Sequence, residues 1–210
     1  MDTATTTAAA VGSGHDGSGV DGSAFSHVVD AAHEAPTWLD SLVSVYSTYG
    51  LALFAVLMLM GWWRTRAQDE ARAVRALAAP VLTLIAFGVS AVLKLLVRED
   101  RPCRSLHVVT LEACQAPGDW SFPSNHATLA AAAAVALWCV SARLGVVAAL
   151  AALAMAASRV WIGAHYPHDV LAGMAVGVLV ALPLSLLLSR HARTVAELFR
   201  RTRLRPLIAA

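Results

Sequence analysis

Long apolar runs separated by short polar joints dominate the chain from about residue 45 onward. Five of them, at about 45–63, 77–97, 126–142, 143–162 and 170–189, approach the roughly 17 to 25 apolar residues that carry a helix across a hydrocarbon core. Only Ser141, Ala142 and Arg143 divide the third run from the fourth. That joint predicts a tight antiparallel hairpin, and the alanine-rich faces beside it allow neighbouring helices to approach closely. Ahead of the first run, "PTWLDSLVSVYSTYG" (36–50) places Trp38, Leu39, Leu42, Val43 and Tyr46 along one helical face, the pattern of an interfacial helix leading into the membrane. The expected fold class is all-α, an integral membrane helical bundle with about five transmembrane helices and an N-terminal interfacial helix.

Residues 1–35 are of different composition, rich in Gly, Ser, Thr, Ala and Asp, and are expected to form a disordered polar tail. They lack the basic start and apolar stretch of a secretory signal, so the first span is expected to direct insertion. A membrane domain over 36–190 and a basic cytoplasmic tail over 191–210 complete the expected organisation. The composition, 58% hydrophobic and 14% charged, lies outside the soluble range.

Charge sets the expected orientation. Arg64, Arg66, Arg72 and Arg75 fall between the first two spans, and Arg190, Arg193, Arg200, Arg201, Arg203 and Arg205 follow the last, which predicts that both regions are cytoplasmic. The connections at about 98–125 and 159–169 are then outside. Cys103 and Cys114 both lie in the first of these and are a candidate disulfide pair in an oxidising space, whereas Cys139 lies within an apolar span. Trp120, Trp161 and Tyr166 read as interface anchors, and His168 as a solvated loop residue.

Three polar motifs stand at the outer span ends: "KLLVREDRP" (94–102), "PSNH" (123–126) and "SRVWIGAHYPHD" (158–169). Charged groups at that depth are costly unless paired or facing a polar cavity, so they mark a candidate site. Lys94, Arg101 and Arg159 arrive from three different segments and together suit a ligand of about three negative charges, with arginine's planar fork matching phosphate oxygens. The Pro-Ser-Asn sequence before the third span points a helix N-terminus, with its unpaired N–H groups, at the same place. His165 and Asp169 are spaced so that the carboxylate can fix the imidazole tautomer while the other ring nitrogen attacks phosphorus. His126 is the candidate general acid for the departing oxygen.

The order K-x6-RP, PS-x-H, SR-x5-H-x3-D, met by Lys94, Arg101, Pro102, Pro123, Ser124, His126, Ser158, Arg159, His165 and Asp169, resembles the type 2 phosphatidic acid phosphatase superfamily. Within it the chain most resembles the bacterial undecaprenyl-diphosphatases of the bacitracin-resistance type, over roughly 36–190. The resemblance implies that Lys94, Arg101, Ser124 and Arg159 hold phosphate, that His165 becomes a phosphohistidine supported by Asp169, and that His126 protonates the leaving group. It also implies that neither a metal nor any other cofactor is required. Asn125 departs from the glycine common in the wider superfamily. Its amide can bond the distal phosphate or narrow the pocket, and the undecaprenyl branch also carries a polar residue there.

The expected function is hydrolysis of the terminal phosphate of a polyprenyl diphosphate at the outer face of the bacterial plasma membrane, recycling an envelope lipid carrier. A phosphatidate or phosphatidylglycerophosphate phosphatase is the principal rival, and a lipid phosphotransferase another. Vanadate-dependent haloperoxidases share such a pocket but are soluble. A non-catalytic lipid transporter would have no use for a nucleophile, its acid and a proton donor together. The expected partners are the lipid substrate and the surrounding membrane lipid, with no nucleic acid; nothing in the sequence sets the oligomeric state.

Overall fold

The computed structural model describes residues 14–209, and those residues are helical apart from short joints and one longer loop over 106–124. In chain order they form α1 (Ser18–Glu34), α2 (Thr37–Tyr49), α3 (Leu51–Thr65), α4 (Glu70–Val97), α5 (Pro102–Ser105), α6 (Asn125–Val140), α7 (Ala142–Trp161) and α8 (Pro167–Arg200), with a 3-10 turn at Arg205–Leu207. By length and composition α4, α7 and α8 can each cross a membrane, and α2 with α3, bent by 55° at their joint, makes a fourth candidate. The apolar α6 is shorter, at 16 residues. The fold is the helical membrane bundle that the apolar runs imply. The expected hairpin is present too, with Ser141 alone between α6 and α7. The expected first span at 45–63 straddles the bend at Gly50, so its first turns belong to α2, which Tyr46 ties to α7 by donating its hydroxyl to the Ala151 carbonyl at 2.7 Å.

The centre of the bundle is α6, packed against α4, α7 and α8. Its alanines at 127, 130–134 and 136 are all buried, so no long side chain separates it from its neighbours. The contact with α8 is the closest. A Cβ on Gly173 would lie 2.4 Å from the Ser124 carbonyl oxygen, and one on Gly177 would lie 2.5 Å from that of Thr128. Glycine is therefore required at both positions. This approach allows the Ser124 N–H at the start of α6 to donate to the Asp169 carbonyl in the first turn of α8 at 3.0 Å. Larger side chains fill the opposite side of α6, where Phe54, Leu57, Leu137 and Met155 join α3, α6 and α7.

The structure corrects the reading of residues 1–35. Residues 1–13 lie outside the described residues, but 18–34 form α1 rather than a disordered tail. Gly22, Phe25, Val29 and Ala32 recur at helical spacing along its buried face, and Phe25 meets Tyr166 edge-on at 5.3 Å. A narrow apolar stripe in a polar segment is enough here because the partner surface is already built. The boundary at 190 is also not a structural one: α8 runs through it to Arg200, and Ile208 folds back against Ala73, Val74 and Ala196.

Cys103 and Cys114 form a disulfide that closes the loop after α5, and Cys139 is free.

Gly173→Ala is expected to force α8 away from α6 at a cost of about 1–3 kcal/mol. Thermal unfolding in detergent should show a lowered Tm. The control is Gly88→Ala, where a Cβ meets nothing within 4 Å and the Tm should hold or rise.

Candidate active site

The predicted site residues come together at the end of the bundle where α4 ends and α6 begins. Lys94 comes from the last turn of α4, and Arg101 from the joint before α5. Ser124 caps α6, followed by Asn125 and His126 in its first turn. Arg159 comes from the last turn of α7, His165 from the turn that follows, and Asp169 from the first turn of α8. Gly163 has φ +80°, a left-handed conformation that lets the chain turn sharply between α7 and His165.

His165 is 2% exposed and is oriented from both sides. An Arg101 N–H lies 3.0 Å from Nε2 and also donates to the Ala164 carbonyl at 2.9 Å. A guanidinium can only donate, so Nε2 accepts and carries a lone pair. The proton is then on Nδ1, which faces Asp169 Oδ2 and the Ser121 hydroxyl, each at 3.4 Å. Asp169 is fully buried, and its Oδ2 also accepts from the Tyr166 N–H at 2.8 Å and from the Ser121 hydroxyl. Nε2 is thus the unprotonated nitrogen of the ring. Burial holds the His165 pKa well below its ordinary value; hydrogen bonding to Asp169 opposes that shift and the charge of Arg101 reinforces it.

The three cations are buried, at 9% exposure or less. Lys94 donates to the carbonyl oxygens of Trp120 and Ser121, Arg101 is paired with Asp119, and Arg159 with Glu112 and the Ser47 hydroxyl. The Ser124 hydroxyl is buried and has no hydrogen-bond partner among the described residues. The Asn125 carbonyl oxygen accepts from Ser90 at 2.8 Å, which leaves the amide N–H groups available. No hydrogen bond to the ring of His126 occurs among the described residues. Ser158, although part of the motif, turns away and bonds the Met155 carbonyl.

Several participants escaped the sequence reading. Ser121 and Ser90 sit outside the motifs, and Glu112 and Asp119 are acids in what reads as a cationic site. Tyr166 and Trp120 are buried rather than interfacial. His168 is not a solvated loop residue: its Nδ1 meets Asp21 of α1 at 2.7 Å and its Nε2 meets Glu99 at 2.9 Å. Glu99, His168 and Asp169 offer ligand atoms within 4.8 Å of one another, the geometry nearest to a metal site among the described residues. Two carboxylate partners, however, call for both ring nitrogens to donate, an arrangement that an imidazolium satisfies by itself. His168 Nε2 also lies 3.6 Å from Asp169 Oδ1.

The PAP2 superfamily model matches residues 73–193. Undecaprenyl-diphosphatase BcrC of Bacillus subtilis is 27% identical over 144 residues, 68% of this chain and 71% of that protein. Decaprenylphosphoryl-5-phosphoribose phosphatase of Mycobacterium tuberculosis is 36% identical over 96 residues, 46% of this chain and about half (51%) of that protein's length. A solved PAP2-type phosphatidylglycerolphosphate phosphatase from Bacillus subtilis aligns over 87% of this chain and 89% of its own, at 20% identity and a TM-score of 0.48. The family match takes in more than half of the chain and every site residue from Lys94 to Asp169, so this chain is a membrane phosphatase that belongs to the PAP2 superfamily.

Proposed function

We propose that the chain hydrolyses the terminal phosphate of a polyprenyl diphosphate through a phosphohistidine at His165, on the extracytoplasmic side of the bacterial plasma membrane. The observation that carries the mechanism is the orientation of His165, with a lone pair on Nε2 toward the buried arginines and the Nδ1 proton toward Asp169. Nε2 attacks the terminal phosphorus, and the bridging P–O bond breaks with its electron pair going to the lipid monophosphate. Lys94, Arg101, Arg159, the Ser124 hydroxyl and the Asn125 amide hold the phosphate oxygens, and His126 supplies the proton. Asp169 stabilises the imidazolium that forms as Nε2 bonds to phosphorus. Water then attacks the phosphohistidine, breaks the P–N bond, and releases inorganic phosphate.

A lipid substrate is supported by an apolar groove of about 430 Å³ between α2 and α7, lined by Leu42, Tyr46, Ala157, Ser158 and Trp161. BcrC, matched over 68% of this chain, is named for undecaprenyl diphosphate, which favours that headgroup. The mycobacterial relative supports a second reading, a phosphate carried on a polyprenyl-phosphoryl sugar. Phosphate release by the purified protein from undecaprenyl diphosphate, decaprenylphosphoryl-5-phosphoribose, phosphatidate and phosphatidylglycerophosphate in parallel separates these substrates. The first should be fastest, and a different order would overturn the assignment.

The outer location draws support from two features. Arg64, Arg66, Arg72, Arg75 and the arginines after residue 190 flank the ends of the spans away from His165. The Cys103–Cys114 disulfide beside the site suits an oxidising space.

His165→Ala should abolish turnover and any trapped phosphoenzyme, as read by acid-quenched phosphate labelling. His126→Ala should still label when the leaving group is good, and Asp169→Asn should retain phosphate binding while kcat falls by roughly 10²-fold or more. Normal turnover by His165→Ala would remove the mechanism.

The depressed His165 pKa gives a pH test. A histidine of ordinary pKa would be about three-quarters protonated at pH 6. With its pKa held well below that value, His165 remains neutral there, so the rapid phosphoenzyme burst should have nearly the same amplitude at pH 6 and pH 7.5. A burst that fell in step with ordinary histidine titration would contradict the assignment.

For topology, Val109→Cys and Gln68→Cys are each introduced into a Cys139→Ser background and intact cells are treated with a membrane-impermeant maleimide. Position 109 should label before lysis and position 68 only afterwards. The reverse order would place the site in the cytoplasm.

A further inference from the structure

A single stretch of chain, residues 112–121, meets all three cations of the site. Arg101 donates to the Asp119 carbonyl at 3.1 Å and to its carboxylate at 3.0 Å. Arg159 lies 3.2 Å from the Glu112 carboxylate, and Lys94 donates to the carbonyls of Trp120 and Ser121. The two arginine side chains are 6% exposed, whereas those of Glu112 and Asp119 are 37% and 49% exposed. The cations are therefore set deep in the bundle and the acids stand at its rim. Glu112 Oε2 approaches Arg159 without a directed hydrogen bond, and Arg159 Nε has no partner among the described residues. A carboxylate is the side chain closest to phosphate in charge and in the forked geometry it offers to a guanidinium. Both acids thus occupy arginine faces that a phosphate would use.

We propose that Glu112 and Asp119 are displaceable counter-ions of the phosphate site. They neutralise Arg159 and Arg101 between turnovers, yield to the phosphate of the substrate, and return to expel inorganic phosphate after the phosphohistidine is hydrolysed. The segment is anchored for this exchange. The Glu112 N–H donates to the Ile162 carbonyl at 3.0 Å, the Ser121 N–H to the Glu99 carbonyl at 2.7 Å, and Cys114 is bridged to Cys103. Displaced carboxylates therefore stay nearby at high effective concentration and compete with phosphate for the same guanidinium groups. The inference rests on reading Lys94, Arg101 and Arg159 as phosphate ligands and is independent of which lipid carries the phosphate.

The test uses Glu112→Gln and Asp119→Asn, which preserve shape and remove charge. The Kd for inorganic phosphate is measured by calorimetry on the purified full chain at pH 7.5, and kcat and KM are determined with whichever lipid the wild type hydrolyses. Each variant should bind phosphate on the order of threefold to tenfold more tightly, with KM lowered and kcat not raised. A purely structural role predicts the opposite sign, because unsupported arginines would bind phosphate less well. An unchanged or weakened phosphate Kd overturns the proposal. If neither variant folds, hydrogen exchange of the wild type decides: amides of 107–119 should exchange faster with saturating phosphate, and unchanged or slower exchange counts against it. A wild type that ignores undecaprenyl diphosphate but hydrolyses phosphatidate would remove the polyprenyl assignment and leave this measurement intact.

Discussion

Three cations buried at one end of an apolar bundle are the constraint around which the rest of the molecule is arranged. Moving such charges out of water is costly, and the cost is offset only by well-placed opposite charges and acceptors. Lys94, Arg101 and Arg159 obtain these from the loop over 112–121, from the Ala164 carbonyl and from Ser47. The loop is in turn closed by the Cys103–Cys114 bridge and fastened to the α7–α8 turn. Buried cations must first be made compatible with folding in the absence of any ligand, and the loop over 112–121 meets that requirement.

Helix packing converts this charged pocket into a reactive one. Gly173 and Gly177 let α8 lie against α6, and that approach brings the carbonyl of Asp169 to the N–H of Ser124. Asp169 and the start of α6, which the proposed mechanism uses as supporting acid and phosphate-binding helix start, are therefore positioned by the same contact. From the other side, α1 lays Phe25 on Tyr166 and Asp21 on His168, so the turn carrying His165 is held between two helical surfaces. Stability and chemistry depend on the same residues, as a small preorganised site requires.

Fold class was readable because its signal is local. Runs of apolar residues and a short polar joint each depend on a few neighbours in the chain, and they identified the helical bundle and the α6–α7 hairpin. Fixed spacing likewise identified Lys94, Arg101, Ser124, His126, Arg159, His165 and Asp169 as members of one site, since groups one helical turn apart or at helix ends have restricted directions. Hydropathy was silent about α1, because a stripe of Gly22, Phe25, Val29 and Ala32 is too thin to signal a helix until Tyr166 and Val170 supply the surface it covers.

Tertiary structure decided which groups meet across distance. Glu112, Asp119, Ser121, Ser90 and Asp21 lie outside every motif, and no spacing rule joins them to residues tens of positions away. His168 shows the difference most clearly: beside a proline in a polar turn it has the local character of a solvated residue, yet the fold places it between carboxylates from α1 and from the joint after α4. The sequence by itself determined that a cluster of cations and histidines would stand at one end of a membrane bundle, because the chemistry of those side chains and the length of those helices are local properties. Only the packed structure decided how the buried charges are balanced and which nitrogen of His165 is unprotonated, because electrostatic balance and tautomer depend on every group within a few ångströms, whatever its position in the chain.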